Sequence, residues 1–77
     1  MVKIYTTPTC PYCKLAKEFM TQHNIAFQEL DVSQDEQALN EMVQKTGQLG
    51  VPVLDIDGQI MVGFNRKKLG ELLGIKV

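Results

Sequence analysis

The chain carries two cysteines, and they lie three positions apart in the run Cys10-Pro11-Tyr12-Cys13. Thiols at this spacing can close a disulfide with little backbone movement when they share one turn of a helix. All the thiol chemistry of the sequence is therefore concentrated in one short segment. The spacing predicts a pair that cycles between two thiols and a disulfide.

The motif falls between a predicted strand, residues 1–5, and a predicted helix that continues from Lys14. This places Cys10 at the helix N-cap and Pro11 at the first helical position, where a fixed φ and a missing N–H are tolerated. A sulfur at the N-cap faces unpaired backbone N–H groups and the positive end of the helix dipole, which favour the thiolate. We therefore expect Cys10 to be the nucleophile and Cys13 to be the more buried partner that reacts second.

Three other uses of the pair stay open at this point. A structural zinc ion usually takes four ligands, and His23 is the one further soft or borderline ligand in the sequence. A structural disulfide over two intervening residues would constrain the unfolded chain little. Two inert thiols in a core are disfavoured by Pro11, which favours an exposed turn. Redox chemistry is the favoured interpretation.

The composition limits the other function classes. Hydrophobic residues make up 44% of the 77 residues, charged residues 22%, and the formal charge is −1, which is typical of a small globular protein. This charge predicts no nucleic-acid binding and no attraction to anionic membranes. The N-terminal segment is not typical of a signal peptide, and no apolar run is long enough to span a bilayer. We expect one domain, residues 1–77, as a monomer in the cytoplasm.

The segments after the motif predict the elements that hold it. Apolar residues at helical spacing follow Cys13, and alternation over residues 25–32 predicts a second strand, which the helical crossover makes parallel to the first. Ser33 and Glu36 form a capping-box sequence, with Ser33 as the N-cap of a second helix that Gly47 ends.

The last third of the sequence predicts a hairpin and a helix. Asp57-Gly58 is a strong turn signal between strands over residues 51–56 and 59–63, which should pair antiparallel. Asn65 can cap a final helix that ends at Gly74. The predicted order is βαβαββα, an α/β fold with a four-stranded mixed sheet.

With the cysteine motif, this element order and Gly50-Val51-Pro52 in hand, the sequence resembles the glutaredoxins over essentially its whole length. The resemblance implies a thioredoxin-like fold and a thiol-disulfide oxidoreductase that reduces protein or glutathione mixed disulfides through Cys10 and Cys13. It implies no bound cofactor, with glutathione as a candidate co-substrate. It also implies a cis peptide bond at Val51-Pro52, which would turn the backbone of Val51 outward to pair with a substrate.

A shallow substrate-binding surface beside the cysteines is also implied by the resemblance. Its predicted members are Pro11, Tyr12, Val51, Pro52, Gly63, Phe64 and Asn65. The start of the last helix departs from the family pattern, because neutral Asn65 and cationic Arg66 stand where glutaredoxins usually carry acidic residues that hold glutathione. Gly63-Phe64 with a basic residue close behind is similar to redoxins that take electrons from thioredoxin reductase and serve ribonucleotide reductase.

The reductant is therefore open between glutathione and thioredoxin reductase, and the expected substrates are disulfide-containing proteins. A further hypothesis is an iron–sulfur cluster shared by two chains through Cys10. Pro11 disfavours it, since related cluster carriers usually lack this proline. A non-catalytic thioredoxin-fold interaction module is disfavoured by the intact cysteine pair at a helix start. No resident metal site is predicted.

Overall fold

The computed structural model describes residues 2–75, and its elements follow the predicted order βαβαββα. The elements are β1 (Val2–Thr6), α1 (Pro11–Gln22), β2 (Phe27–Asp31), α2 (Glu36–Thr46), β3 (Val53–Ile56), β4 (Gln59–Val62) and α3 (Arg66–Leu73). The predicted α/β architecture is confirmed. None of these helices is long and apolar enough to cross a membrane, within the part of the chain described.

The four strands form one mixed sheet in the order β2-β1-β3-β4. Strand β1 pairs parallel with β2, with Val2 opposite Phe27, and antiparallel with β3, with Val2 opposite Ile56. Strands β3 and β4 pair antiparallel. The central position of β1 matters for function, because this strand leads directly into the cysteine motif.

Apolar side chains pack on both faces of the sheet, since successive strand residues point to opposite sides. One cluster joins the sheet to α1 and α3 and contains Val2, Ile4, Ala16, Phe19, Met20, Leu54, Ile56, Met61 and Leu69. The other joins the sheet to α2 and contains Tyr5, Val32, Ala38, Met42 and Val53. Packing of α1 against β1 fixes the start of this helix at the end of the central strand.

The start of α2 differs from the prediction. Asp35 is the N-cap, and its carboxylate accepts a hydrogen bond from the Ala38 backbone N–H at 3.1 Å. Ser33 does not cap the helix, because the Asp31 carboxylate accepts from both its backbone N–H (2.9 Å) and its hydroxyl (2.5 Å). The predicted end of α2 is confirmed, since Gly47 lies in the left-handed region at φ 70°.

The strands after the first are shorter than predicted, but the hairpin is confirmed. Strand β3 begins at Val53 rather than at residue 51, because Pro52 has no backbone N–H to donate to a ladder. Asp57 and Gly58 form the turn between β3 and β4 with φ values of 51° and 94°. Two consecutive positive φ values match the twist of a two-residue hairpin.

Helix α3 has the predicted boundaries. The Asn65 side chain accepts from the Lys68 backbone N–H at 3.1 Å, which makes it the N-cap. Gly74 ends the helix in the left-handed region at φ 74°, and Ile75 packs on the core beyond it.

Candidate functional site

Cys10 occupies the N-cap of α1, as predicted. Its backbone is extended (φ −95°, ψ 108°), and its sulfur accepts a hydrogen bond from the Cys13 backbone N–H at 3.1 Å. Pro11 follows as the first helical residue, so the helix loses no internal hydrogen bond there. Cys10 is partly exposed, and the Cys13 backbone amide is aimed at its sulfur.

Cys13 lies one turn further on and is only 1% exposed. Burial, followed by a side-chain hydrogen bond between the Cys13 thiol and the Cys10 sulfur, raises the pKa of the Cys13 thiol to about 12. A backbone hydrogen bond from Thr7 and the charge of Lys17 act in the opposite direction on this pKa. Both cysteines are free thiols. At neutral pH Cys13 is therefore protonated, which prevents it from competing as a nucleophile.

A shallow depression of about 720 Å³ opens beside the two cysteines, between residues 6–9, the first turns of α1 and the end of β2. Its far wall carries a fixed charge pair, in which the Lys17 ammonium lies 2.8 Å from the Glu29 carboxylate. Glu29 also accepts from the hydroxyl of the buried Thr6 at 2.9 Å. The Lys17 ammonium holds the pKa of the Glu29 carboxyl below its ordinary value.

The predicted substrate-surface residues fall into separate groups. Tyr12 is 59% exposed on the first turn of α1, next to Cys10. The peptide bond between Val51 and Pro52 is cis. The Pro52 carbonyl accepts from the Gly63 backbone N–H at 2.8 Å, which brings Gly63 to the start of β3.

Phe64 lies between α1 and α3, where its ring packs edge-on against Phe19 with centroids 6.3 Å apart. The same ring of Phe19 meets His23 at 4.6 Å, and His23 caps the C-terminus of α1. His23 therefore has a structural role at the end of α1, through its cap and its contact with Phe19. Within residues 2–75 no group of three or more His, Cys, Asp or Glu side chains is placed to hold a metal ion.

The Glutaredoxin family model matches residues 2–61, most of the chain. The chain belongs to the glutaredoxin family. An uncharacterised glutaredoxin-like 8.6 kDa protein in the rubredoxin operon of Clostridium pasteurianum is 47% identical over 73 residues, which cover 95% of this chain and 97% of that protein.

Of two further relatives, one is named a glutaredoxin and the other a glutaredoxin-like protein. Glutaredoxin 3 of Escherichia coli is 39% identical over 62 residues, covering 80% of this chain and 75% of its own. The glutaredoxin-like protein NrdH of Lactococcus lactis is 35% identical over 75 residues, which cover 94% of this chain and 99% of that protein.

Among solved structures, a mutant of the thioredoxin-like protein BC3987 matches with a TM-score of 0.92 at 36% sequence identity. The match covers 97% of this chain and 96% of that chain. The predicted fold and the predicted glutaredoxin-like redox function are confirmed.

The start of α3 in this glutaredoxin is cationic. The side-chain oxygen of Asn65 accepts the N-cap hydrogen bond from the Lys68 backbone N–H, and the first turn of α3 contains no acidic residue. The Arg66 guanidinium lies over the ring of Phe19, 5.8 Å from its centroid. The first turn of α3 itself therefore contributes no carboxylate that could pair with an ammonium group of a ligand.

The charge pair between Lys17 and Glu29 was not among the residues predicted from the sequence. Lys17 follows Cys13 by four positions, so helical periodicity could have placed it on the same face. Glu29 could not be found in this way, because its position depends on the parallel register that sets it opposite Ile4.

Proposed function

We propose that the chain is a dithiol thiol-disulfide oxidoreductase in which Cys10 opens a substrate disulfide and Cys13 resolves the intermediate. The observation that carries the proposal is the asymmetry of the pair. Cys10 is partly exposed and its sulfur accepts a hydrogen bond from a backbone N–H at 3.1 Å, whereas the thiol of Cys13 is buried and protonated.

The reaction proceeds in two exchanges. The Cys10 thiolate attacks one sulfur of the substrate disulfide, the S–S bond breaks, and the released thiolate takes up a proton. The Cys13 thiol then loses its proton and attacks the sulfur of Cys10, which releases the second substrate thiol. The substrate gains two electrons and two protons, and the protein keeps a Cys10–Cys13 disulfide that an external dithiol or thiol must reduce.

Two neighbouring groups help Cys13 to form a thiolate in the second exchange. The Thr7 backbone N–H and the Lys17 charge both lower the pKa of Cys13 against the larger effect of burial. They stabilise the thiolate that has to form in the second exchange. The mixed disulfide engages the sulfur of Cys10, which removes its side-chain hydrogen bond and its charge interaction with Cys13, and both of these raise the pKa of Cys13.

Protein disulfides are the substrate class favoured by the exposed groups near the motif. Among residues 2–75, none bonds to the backbone N–H or C=O of Val51, so both groups are available to pair with an extended peptide. The exposed ring of Tyr12 and the backbone at Gly63 complete the surface we assign to substrate, together with Pro11, Pro52, Phe64 and Asn65. The cycle belongs in a reducing compartment, which we take to be the cytoplasm.

Glutathione is the reductant we propose first, with no cofactor bound to the protein. The cationic start of α3 favours a second candidate, reduction by thioredoxin reductase with ribonucleotide reductase as electron acceptor. Arg66 and the absence of an acidic residue in this turn remove a charge-assisted contact to an ammonium group. The relative named NrdH, aligned over nearly its full length, is consistent with this alternative.

Single-cysteine variants test the assignment. Cys10→Ser should abolish reduction of a protein disulfide, because the attacking sulfur is lost. Cys13→Ser should react once and stop at a mixed disulfide on Cys10. Each variant is the matched control for the other, since both replace one of the two thiols. A Cys10→Ser variant that still reduces disulfides rejects the proposal.

A coupled assay then decides the reductant. NADPH oxidation is followed with a protein disulfide as substrate, in one reaction with glutathione and glutathione reductase and in the other with thioredoxin reductase. Faster turnover with glutathione supports the first candidate. Turnover with thioredoxin reductase alone selects the second.

A further inference from the structure

The segment between α2 and β3 contains a hydrogen-bonding arrangement centred on Gln48. The side-chain oxygen Oε1 of Gln48 accepts from the Gly50 backbone N–H at 2.5 Å, and Nε2 donates to the Gly50 carbonyl at 3.2 Å. One side-chain amide thus satisfies both backbone groups of Gly50. A neighbouring β-strand would satisfy a residue in the same way.

Gln48 is itself anchored to the end of α2. Its backbone N–H donates to the Thr46 hydroxyl oxygen at 3.3 Å, and this hydroxyl donates to the Met42 carbonyl at 2.8 Å. Met42 is fully buried in the core beside α2. Hydrogen bonds therefore run without a gap from the packed helix to Gly50.

Gly50 is matched to this contact by its lack of a side chain. A Cβ atom at Gly50 would lie 2.6 Å from Oε1 of Gln48, which is closer than such atoms can approach. Any larger residue would therefore displace the amide of Gln48. The two residues form one unit, which we call the Gln48–Gly50 clamp.

The clamp stands directly before Val51, whose backbone groups are unbonded within residues 2–75. Because the Gly50 N–H donates to Gln48 and the Gly50 carbonyl accepts from it, an incoming peptide would compete with Gln48 at Gly50, while Val51 stays available. We infer that Gln48 is a positioning residue that fixes the orientation of the Val51 backbone for an extended peptide substrate. This inference rests on the proposed function, and it adds a residue that acts on substrate binding through its neighbour.

Two disulfide substrates distinguish a role of Gln48 in substrate binding from a general structural role. A peptide disulfide carries amide groups on both sides of the sulfurs, whereas bis(2-hydroxyethyl) disulfide carries none. Reduced protein is mixed with each disulfide in excess, quenched with N-ethylmaleimide, and analysed by mass for remaining thiols. This single-turnover design needs no external reductant, so it does not depend on the reductant question.

Gln48→Ala should raise the half-saturating concentration of the peptide disulfide by about 3- to 10-fold at an unchanged maximal rate, since hydrogen bonds that order the binding backbone are lost. Its rate with bis(2-hydroxyethyl) disulfide should not change. Gln44→Ala is the matched control, because Gln44 is an exposed glutamine on α2 whose side chain forms no hydrogen bond within residues 2–75. This control should behave as the unaltered protein with both disulfides.

Gly50→Ala is an independent route to the same defect, because the added methyl group displaces the amide of Gln48. It should show the same selective loss, and combining it with Gln48→Ala should add nothing beyond the larger single effect. Equal losses with both disulfides, or no loss with either variant, would overturn the inference. An unaltered protein that reacts with neither disulfide would instead reject the proposed function.

Discussion

The backbone N–H of Cys13 donates to the sulfur of Cys10 across 3.1 Å, so the second cysteine of the motif fixes the position of the first at the helix start. The two cysteines are unequal, because the thiol of Cys13 is buried and its pKa is raised to about 12. This relationship sets the order of the proposed reaction. Cys10 attacks while Cys13 holds its proton, and Cys13 acts only once the sulfur of Cys10 has become part of a mixed disulfide.

Lys17→Gln should slow the second exchange. The positive charge of Lys17 lowers the pKa of Cys13, so its removal leaves less Cys13 thiolate at a given pH. We expect the mixed disulfide to persist about 2- to 5-fold longer in quenched single-turnover reactions, within the range of a partly screened charge. The rate should recover as the pH is raised.

The control for this prediction is Lys67→Gln, which removes the same charge from an exposed position on α3. It should leave the lifetime of the mixed disulfide unchanged. An equal effect of both variants would mean that the net charge of the protein, and not Lys17, governs the second exchange.

Burial of Cys13 should make folding stability depend on alkaline pH. The thiol pKa rises from 9.0 to about 12 on folding, so the unfolded chain loses this proton first. The contribution of Cys13 to the free energy of unfolding is therefore fully present below about pH 9. Above about pH 9 the free energy of unfolding falls by up to about 1.4 kcal/mol per pH unit. Urea unfolding of the reduced protein between about pH 8 and pH 10.5 measures the slope.

Cys13→Ala removes this contribution and should give a flatter dependence over the same pH range. Burial also raises the pKa of Tyr5, but this residue is the same in both proteins, so the difference between the slopes isolates Cys13. Identical slopes would show that the thiol is not buried as described.

Lys45 should stabilise the fold by joining α2 to the sheet. Its ammonium lies 2.6 Å from the Asp55 carboxylate and 2.9 Å from the Tyr5 hydroxyl, which also bonds to Glu41. Partial burial lowers the pKa of Lys45, yet its hydrogen bonds raise it above the ordinary value. Lys45→Met leaves Asp55 without its cation, and we expect the free energy of unfolding to fall by about 1 to 3 kcal/mol.

Lys3→Met is the matched control for Lys45. Lys3 contacts the same network through Glu41, but at 3.6 Å and with both side chains well exposed. Exposed ion pairs contribute about 0 to 1 kcal/mol, so the loss should be smaller than for Lys45→Met in urea unfolding. Equal losses would contradict a specific role for the contact with Asp55.

Asn65→Asp should improve turnover with glutathione. Aspartate caps a helix as well as asparagine does, and its charge suits the positive end of the dipole. The carboxylate would offer an ammonium group of glutathione a partner that the native residue does not provide. We expect the KM for glutathione to fall by about 3- to 10-fold in the coupled assay.

Asn40→Asp introduces the same charge at an exposed position on α2 and should leave the KM for glutathione unchanged. If Asn65→Asp also has no effect, glutathione does not bind at the start of α3. That result would favour the reading in which thioredoxin reductase reduces the protein.

Local signals in the sequence predicted much of the fold. Asp57-Gly58, Gly47 and Gly74 each require a backbone conformation that few residues adopt, so their types alone located a turn and two helix ends. The predicted N-cap of α2, Ser33, was wrong, because Ser33 and Asp35 are both residue types that cap helices well. The choice between them depends on the Asp31 side chain, which accepts hydrogen bonds from the backbone N–H and the hydroxyl of Ser33.

The candidate site was predictable only where it lies in one segment. Cys10 and Cys13 are placed by a single helix start, and their unequal burial follows from helix geometry. Glu29 reaches the site through strand pairing. Gln48 acts through a side-chain contact to a backbone, and no periodicity in the sequence encodes such a contact.

The identity of the attacking sulfur is tested most directly by mapping the mixed disulfide. Reduced protein is mixed with a peptide disulfide and quenched with acid within the first turnover, and peptide mass mapping locates the attached peptide. If Cys10 is the attacking sulfur, the peptide will be found on Cys10, with Cys13 still a thiol. A peptide attached mainly to Cys13 would show that Cys10 is not the attacking residue.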